Sequence, residues 1–245
     1  AGRGDMEKSV GGIVSAALVS IDAVPEAKED RENLARVLGK RRKAAQNHFN
    51  KIAGKLGKAY CPGRTWSAVG PMLAHTLGDW DVADLGAGEG WLTLLLAQRA
   101  RSVTAIDNSP KMVEYGLANL KENKIRNVEF KLGDIEDPPL AAGSLDLIVY
   151  SQALHHVEDP KAALQRGVKA LRPGGRCVVL DLLKHQHDRA RRLYHDRWLG
   201  FTESDLEDWF KQVGLEQVRI QILEADPNEP GYVPVLASGC RSVPA

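Results

Sequence analysis

The chain reads as an α/β protein with an open parallel sheet covered by helices on both faces. Two observations predict it. Short apolar or β-branched runs recur with helical segments between them, the rhythm of βα units, and the runs end in glycine or carboxylate, where such sheets bind ligands. The first unit is the most informative. The run Trp80-Asp81-Val82-Ala83 leads into Asp84-Leu85-Gly86-Ala87-Gly88-Glu89-Gly90, and Trp91 to Ala97 beyond it reads as a helix. Glycine suits that turn because a side chain there would forbid positive φ and hold a ligand away from the backbone N–H groups.

The second unit is Arg101 to Asp107, a β-branched strand closing on a carboxylate about 20 residues past the loop, where dinucleotide-type sites place a ribose-binding acid. A helix from Lys111 to Glu122 follows, opened by Ser109-Pro110. Asp107 has two readings, helix cap or ribose ligand. Ser109 can cap the helix itself, which frees Asp107 for the ligand. A third strand, Val128 to Leu132, stops at Gly133-Asp134-Ile135, which taken alone is a turn. Leu145 to Tyr150 is a fourth strand, nearly all apolar, with Ser151 to Val157 beyond its carboxyl end. Leu171 to Gly175 breaks the next helix ahead of a fifth strand, Arg176 to Leu182.

Loop spacing separates cofactor classes. A dinucleotide fingerprint reads G-x-G-x-x-G, whereas this loop is G-x-G-x-G, with bulky Trp91 in place of the third glycine and an acid, Asp84, two residues ahead of the first. With the later acids in register, the chain from Trp66 to Arg241 resembles class I S-adenosylmethionine-dependent methyltransferases. The resemblance implies a Rossmann-like, mostly parallel seven-stranded sheet with an N-terminal helical cap. Its last strands would be Gln217 to Glu224 and Val233 to Gly239, the final one antiparallel, joined by a turn from Asp226 to Gly231. It also implies S-adenosylmethionine as cofactor, bound by Asp84, Gly86, Ala87, Gly88, Gly90, Asp107, Asn108, Met112, Gly133, Asp134, Ile135 and Ser151. Asp134 would meet the adenine amino group and Ile135 the adenine ring. For Tyr60 to Arg64 two readings stand: a lid whose Arg64 guanidinium grips the cofactor carboxylate, or an ordinary exposed turn.

A narrower resemblance lies outside the core. Glu29 to Ala45, the helix Phe49 to Ala53, and Asp196 to Phe201 look like bacterial proteins in which an ArsR-type winged-helix regulator is fused to a methyltransferase. The sequence ahead of residue 12 is too short for a winged helix and starts at Ala1, so the expectation is a piece of a longer protein. The organisation read from the sequence is an N-terminal helical segment or linker over 1–28, a helical cap or lid over 29–65, and the methyltransferase domain over 66–245.

Composition narrows the partners. The 245 residues are 43% hydrophobic, enough for one α/β core with an added cap. With 33 basic and 32 acidic residues and net charge +1, the chain has no global field for nucleic acid, and direct binding by this chain is not expected. The basic runs Lys40 to Lys43 and Arg189 to Arg192 read as solvated helix faces. Val10 to Ile21 is too short and interrupted to span a bilayer and lacks the flanks of a secretory leader. It reads as a helix packing on a missing domain or a second subunit, hence a homodimer through the N-terminal helices. Cys61, Cys177 and Cys240 are odd in number and scattered, which points to reduced thiols and a cytoplasmic setting.

The chemistry implied is in-line methyl transfer to a small-molecule acceptor, where the protein aligns the nucleophile and excludes water. His155, in the loop after strand four, is the candidate general base; the alternative is that one histidine of the His155-His156 pair orients the loop while the other faces solvent. His185, His187 and His195 with Asp181 match no tight zinc spacing, so no metal site is expected. Arsenite methylation is disfavoured because it needs clustered thiolates and only Cys61 lies near the predicted cleft. A regulator domain that senses the cofactor or its product without turnover is the second reading, and a nicotinamide oxidoreductase a distant third.

Overall fold

A computed structural model describes residues 25–52, 70, 72–226 and 229–243. They fall into two units that divide after Arg64. The Val10 to Ile21 segment, the Tyr60 to Arg64 lid with Cys61 and Arg64, and residues 227–228 of the late turn lie outside the described residues. Helix α1, Pro25–Ile52, belongs to the first unit. It joins in one helix two segments read separately from the sequence.

The second unit holds β1 (Asp81–Leu85), α2 (Trp91–Leu96), β2 (Ser102–Asp107), α3 (Pro110–Glu122), β3 (Val128–Leu132) and β4 (Leu145–Ser151). A single 3-10 turn, Leu154–His156, then precedes α4 (Pro160–Ala170), β5 (Leu171–Leu182), α5 (Arg189–Leu193), α6 (Glu203–Gln212), β6 (Leu215–Ile222) and β7 (Pro234–Arg241). The seven strands form one sheet in the order β3-β2-β1-β4-β5-β7-β6. Pairing is parallel from β3 to β5, and β7 runs antiparallel to both of its neighbours. The order reverses between β1 and β4, so the loops after those strands diverge and open a crevice at their carboxyl ends.

Alternation along the central strands builds two cores. Ile148 and Tyr150 of β4 pack with Leu85, Leu164, Val179, Leu206 and Phe210 on one face, while Leu147 and Val149 pack with Val82, Val103 and Leu96 on the other. A third group, Ala105, Leu120 and Phe130, seats α3. Helix starts follow local chemistry: Ser109 caps α3 by accepting from Met112 N, Asp159 caps α4 at Ala162 N, and Thr202 with Asp205 forms a capping box on α6.

The largest boundary differences from the sequence reading are at β5 and β6. β5 begins at Leu171, not Arg176, because Leu171 pairs with Leu145 before a bulge formed by Pro173, Gly174 and Gly175 restarts the ladder at Leu147 and Arg176. β6 spans Leu215–Ile222 instead of Gln217 to Glu224. Gln217 has φ 52°, and the register shifts between Glu216 and Arg219, which breaks the alternation that a strand start at Gln217 assumed.

The β4–α4 contact is close enough to test. A Cβ at Gly167 would lie 2.2 Å from the Tyr150 hydroxyl, which donates to Ala163 O at 2.9 Å. Gly167→Ala should therefore destabilise the chain by about 1–3 kcal/mol through overpacking, read by urea unfolding. Tyr150→Phe removes the clashing oxygen, so the double variant should be less destabilised than the sum of the single changes. Strict additivity would mean that this contact does not limit the packing.

Candidate active site

The chain turns sharply where β1 meets α2. Gly86, Gly88 and Gly90 all have positive φ, at 80°, 55° and 83°. A Cβ at Gly86 would lie 2.4 Å from the Ala153 Cβ, so only glycine lets this loop pass the one after β4. At Gly88 a Cβ would meet nothing within 4 Å; that space belongs to the cleft. Gly86 N and Ala87 N both donate to Ile106 O, at 2.9 and 3.0 Å, tying the loop to the end of β2.

The end of β2 ties it again. Asp107 Oδ2 accepts from Gly88 N at 2.8 Å, and its Oδ1 from Ser109 N at 2.9 Å. Asp134, past β3, accepts from Glu136 N at 2.9 Å, and Glu136 accepts from Glu158 N and Asp159 N. The loops after β1, β2, β3 and β4 thus converge on a cleft of about 670 Å³.

Of the residues singled out from the sequence, Gly86, Gly88, Asp107, Asn108, Met112, Asp134 and Ile135 line this cleft. Others sit around it. Asp84 is buried beneath the loop and accepts from Thr93 Oγ1 at 2.6 Å, fastening α2 to β1. Burial pushes its carboxyl up to about 6; the Thr93 hydrogen bond opposes the shift and the Asp107 charge adds to it. Gly90 is the N-cap of α2 with Phe130 against it, Ala87 is held at Ile106, Gly133 N donates to Asp107 O, and Ser151 ends β4.

His155, the candidate base, is not among the residues that line this cleft. Its ring is buried, and Nδ1 lies 2.8 Å from Asp181 Oδ1. Burial lowers its pKa, but the Asp181 hydrogen bond and the charges of Asp181 and Asp196 outweigh that, and the net shift is upward. His155 lines a second cavity of about 500 Å³, with Tyr194, Asp196 and Tyr232. His156 lines both cavities, as does Gln152. The pKa of His156 is lowered, first by burial and then by the His155 charge.

Gln152, Ala153, Glu158 and Arg197 are site residues that the sequence reading missed. Gln152 has φ 53°, a strained conformation at the strand end. Arg197 reaches the cleft paired with Glu158 at 2.8 Å; the two lie 39 residues apart in the sequence, so only folding brings them together.

Residues 83–179 match the family model described as a methyltransferase domain. Over 118 residues the chain is 34% identical to malonyl-[acyl-carrier protein] O-methyltransferase of Hahella chejuensis, covering 47% of this chain and 41% of that protein. It is 28% identical over 153 residues to the uncharacterized methyltransferase YcgJ of Bacillus subtilis, 58% of each chain. The chain thus spans about half the length of these relatives. The YcgJ crystal structure superposes with a TM-score of 0.60 at 17% identity, covering 72% of this chain and 97% of that one. Haemonchus contortus phosphoethanolamine N-methyltransferase 2, solved with S-adenosyl-L-methionine, gives 0.63 at 13% identity, covering 73% of this chain and 53% of that one. The sequence match to a methyltransferase domain thus spans 83–179, and the superpositions show that the solved methyltransferases share the fold built around it.

Proposed function

We propose that the chain is an S-adenosylmethionine-dependent methyltransferase acting on a small molecule. The observation that carries the reading is the joint placement of an open glycine cradle and two separate carboxylates, Asp107 and Asp134, on one cleft in a methyltransferase domain. The residues fit the cofactor. The vacant space over Gly88 admits a ligand against the backbone, Asp107 keeps lone pairs for ribose hydroxyls after accepting two N–H groups, and Met112 and Ile135 offer apolar surface for a base. When bound, the cofactor supplies an electrophilic methyl carbon on a sulfonium.

The chain's own part is positioning. Asp107 and the glycine loop would hold the sugar side, Asp134 and Ile135 the adenine side, and the Gln152 to His156 turn separates the cofactor cleft from the second cavity, which would take the acceptor. His155, anchored by Asp181, orients that turn. A small acceptor fits the size of the second cavity, about 500 Å³. A cytoplasmic setting fits the free thiols of Cys177 and Cys240, and among the described residues no helix is long and apolar enough to cross a membrane. The resemblance of Asp196 to Phe201 to ArsR-fused methyltransferases supports a parent protein with a regulator domain. In that setting a sensing role without turnover would show cofactor binding and no methyl transfer to any acceptor.

Calorimetry should find one S-adenosylhomocysteine per chain, and labelled methyl transfer into a fractionated metabolite extract should mark an acceptor. Asp107→Ala should weaken binding at least about tenfold, the scale of a lost charged hydrogen bond, and Asp107→Asn less, since its amide oxygen can still accept from the loop. A folded wild-type chain that ignores S-adenosylhomocysteine would sink the proposal.

Asp84 offers a pH test. Its folded carboxyl holds a proton to higher pH than the unfolded one, so its contribution to stability is fully present below about pH 4 and is lost as pH rises to about 6. Asp84→Asn removes that loss. The variant should gain on the wild type by on the order of 2 kcal/mol across this window, while binding S-adenosylhomocysteine more weakly. A stability difference that stays flat from pH 4 to 7 in urea unfolding would contradict the buried-acid account.

A further inference from the structure

We propose that His155, His156 and Asp196 form a site for one divalent first-row transition-metal ion, placed on the wall of the second cavity with coordination positions open toward it. One nitrogen from each ring and one carboxylate oxygen lie within 4.8 Å of one another. His155 Nε2 and His156 Nδ1 stand 3.8 and 3.9 Å from Asp196 Oδ1. These separations are too long for hydrogen bonds. A tetrahedral ion with bonds of roughly 2.0–2.2 Å holds its ligands roughly 3.3–3.6 Å apart, so both pairs would close in by a few tenths of an ångström around it.

A second observation points the same way. Asp196 is 5% exposed, and its Oδ1 has no hydrogen-bond partner. A buried carboxylate oxygen without a donor is costly, and a cation between it and the two imidazoles removes that cost.

The surroundings are those of a prepared ligand set. Asp181, fully buried, holds His155 Nδ1 at 2.8 Å and is itself fixed by Leu154 N and Leu182 N, so Nε2 is presented toward Asp196. A carboxylate behind a ligating imidazole is the usual outer partner at metal sites. His155 O accepts from both Arg197 N and Trp198 N at 3.0 Å, and Trp198 Nε1 donates to Val157 O at 3.1 Å. The segment bearing Asp196 is therefore stapled to the turn bearing both histidines.

Two imidazoles and one carboxylate leave positions free for solvent or substrate. Because His156 also lines the cofactor cleft, an oxygen or sulfur acceptor bound to the ion would sit beside the methyl donor and lose its proton more readily. This role rests on the methyltransferase reading; the binding of the ion does not.

The test uses the full chain, stripped with chelator, dialysed and titrated with Zn²⁺ by calorimetry and with Co²⁺ by visible absorption. One ion per chain is expected for each metal. Asp196→Asn and His156→Gln should each lower affinity by at least about tenfold, and Asp181→Asn by about 10–100-fold as the outer partner. His187→Gln, at a ring bonded to Gly231 O, should change nothing. His156 is half-exposed, so its variant should fold even if a buried one does not, which circular dichroism checks. Substoichiometric binding by the wild type, or undiminished binding by folded His156→Gln, overturns the site. S-adenosylhomocysteine titrated into the stripped chain separates the two proposals: its failure to bind would end the methyltransferase reading and leave the metal result standing.

Discussion

The site depends on a steric constraint where two loops cross. Gly86 passes so near Ala153 that a single methyl group would collide, and its φ of 80° is one that side chains rarely tolerate. Because that crossing is tight, the loops after β1 and β4 are locked together, and β2 is drawn in through Ile106 O and the Asp107 carboxylate. Three strands thereby hold one turn. The backbone of the glycine loop is consequently fixed before any ligand arrives, which lowers the ordering cost of binding.

The two edges of the sheet treat acids in opposite ways. At the amino edge, Arg172 contacts Asp81 and Asp146 at 2.8 and 2.6 Å, and Arg101 contacts the same pair at 3.0 and 3.3 Å. The Arg172 hydrogen bond leads a set of contacts that hold the Asp81 carboxyl down at about 2. These acids are matched by cations and clamp the strand starts. At the carboxyl edge, Asp107 and Asp134 accept from backbone N–H groups instead, Gly88 and Ser109 for one and Glu136 for the other. Backbone donors orient a carboxylate without cancelling its charge, so the same residue type serves as a clamp on one side and lines the cleft with its charge unpaired by a cation on the other.

How far the sequence reveals the molecule follows from how local each signal is. The glycine turn, the acid closing β2 and the Ser109 cap are decided within a few residues, and the structure places them as their chemistry requires. Pattern reading breaks at Gln217, because a left-handed residue inside β6 resets the period without any glycine to announce it. The second cavity was illegible for a different reason. Its wall takes Gln152, His155, Leu182, Tyr194, Asp196 and Tyr232 from four separate segments, none of which carries a spacing signal alone. In the sequence Asp196 carries a signal only within a stretch of resemblance, and the spacings of His185, His187 and His195 with Asp181 say nothing of its own cluster.

The adjacent histidines show why position along a chain is a poor guide to role. His155 follows Leu154 into the core, where Asp181 waits at the end of β5, and the carboxylates around it stabilise its charged form. His156, one residue on, points to the boundary between the two cavities, where burial and its charged neighbour favour the neutral ring. A base must be both neutral and reachable. Both rings line the second cavity, but only His156 also reaches the cofactor cleft, and the 3-10 turn that carries the pair sets this one-residue difference.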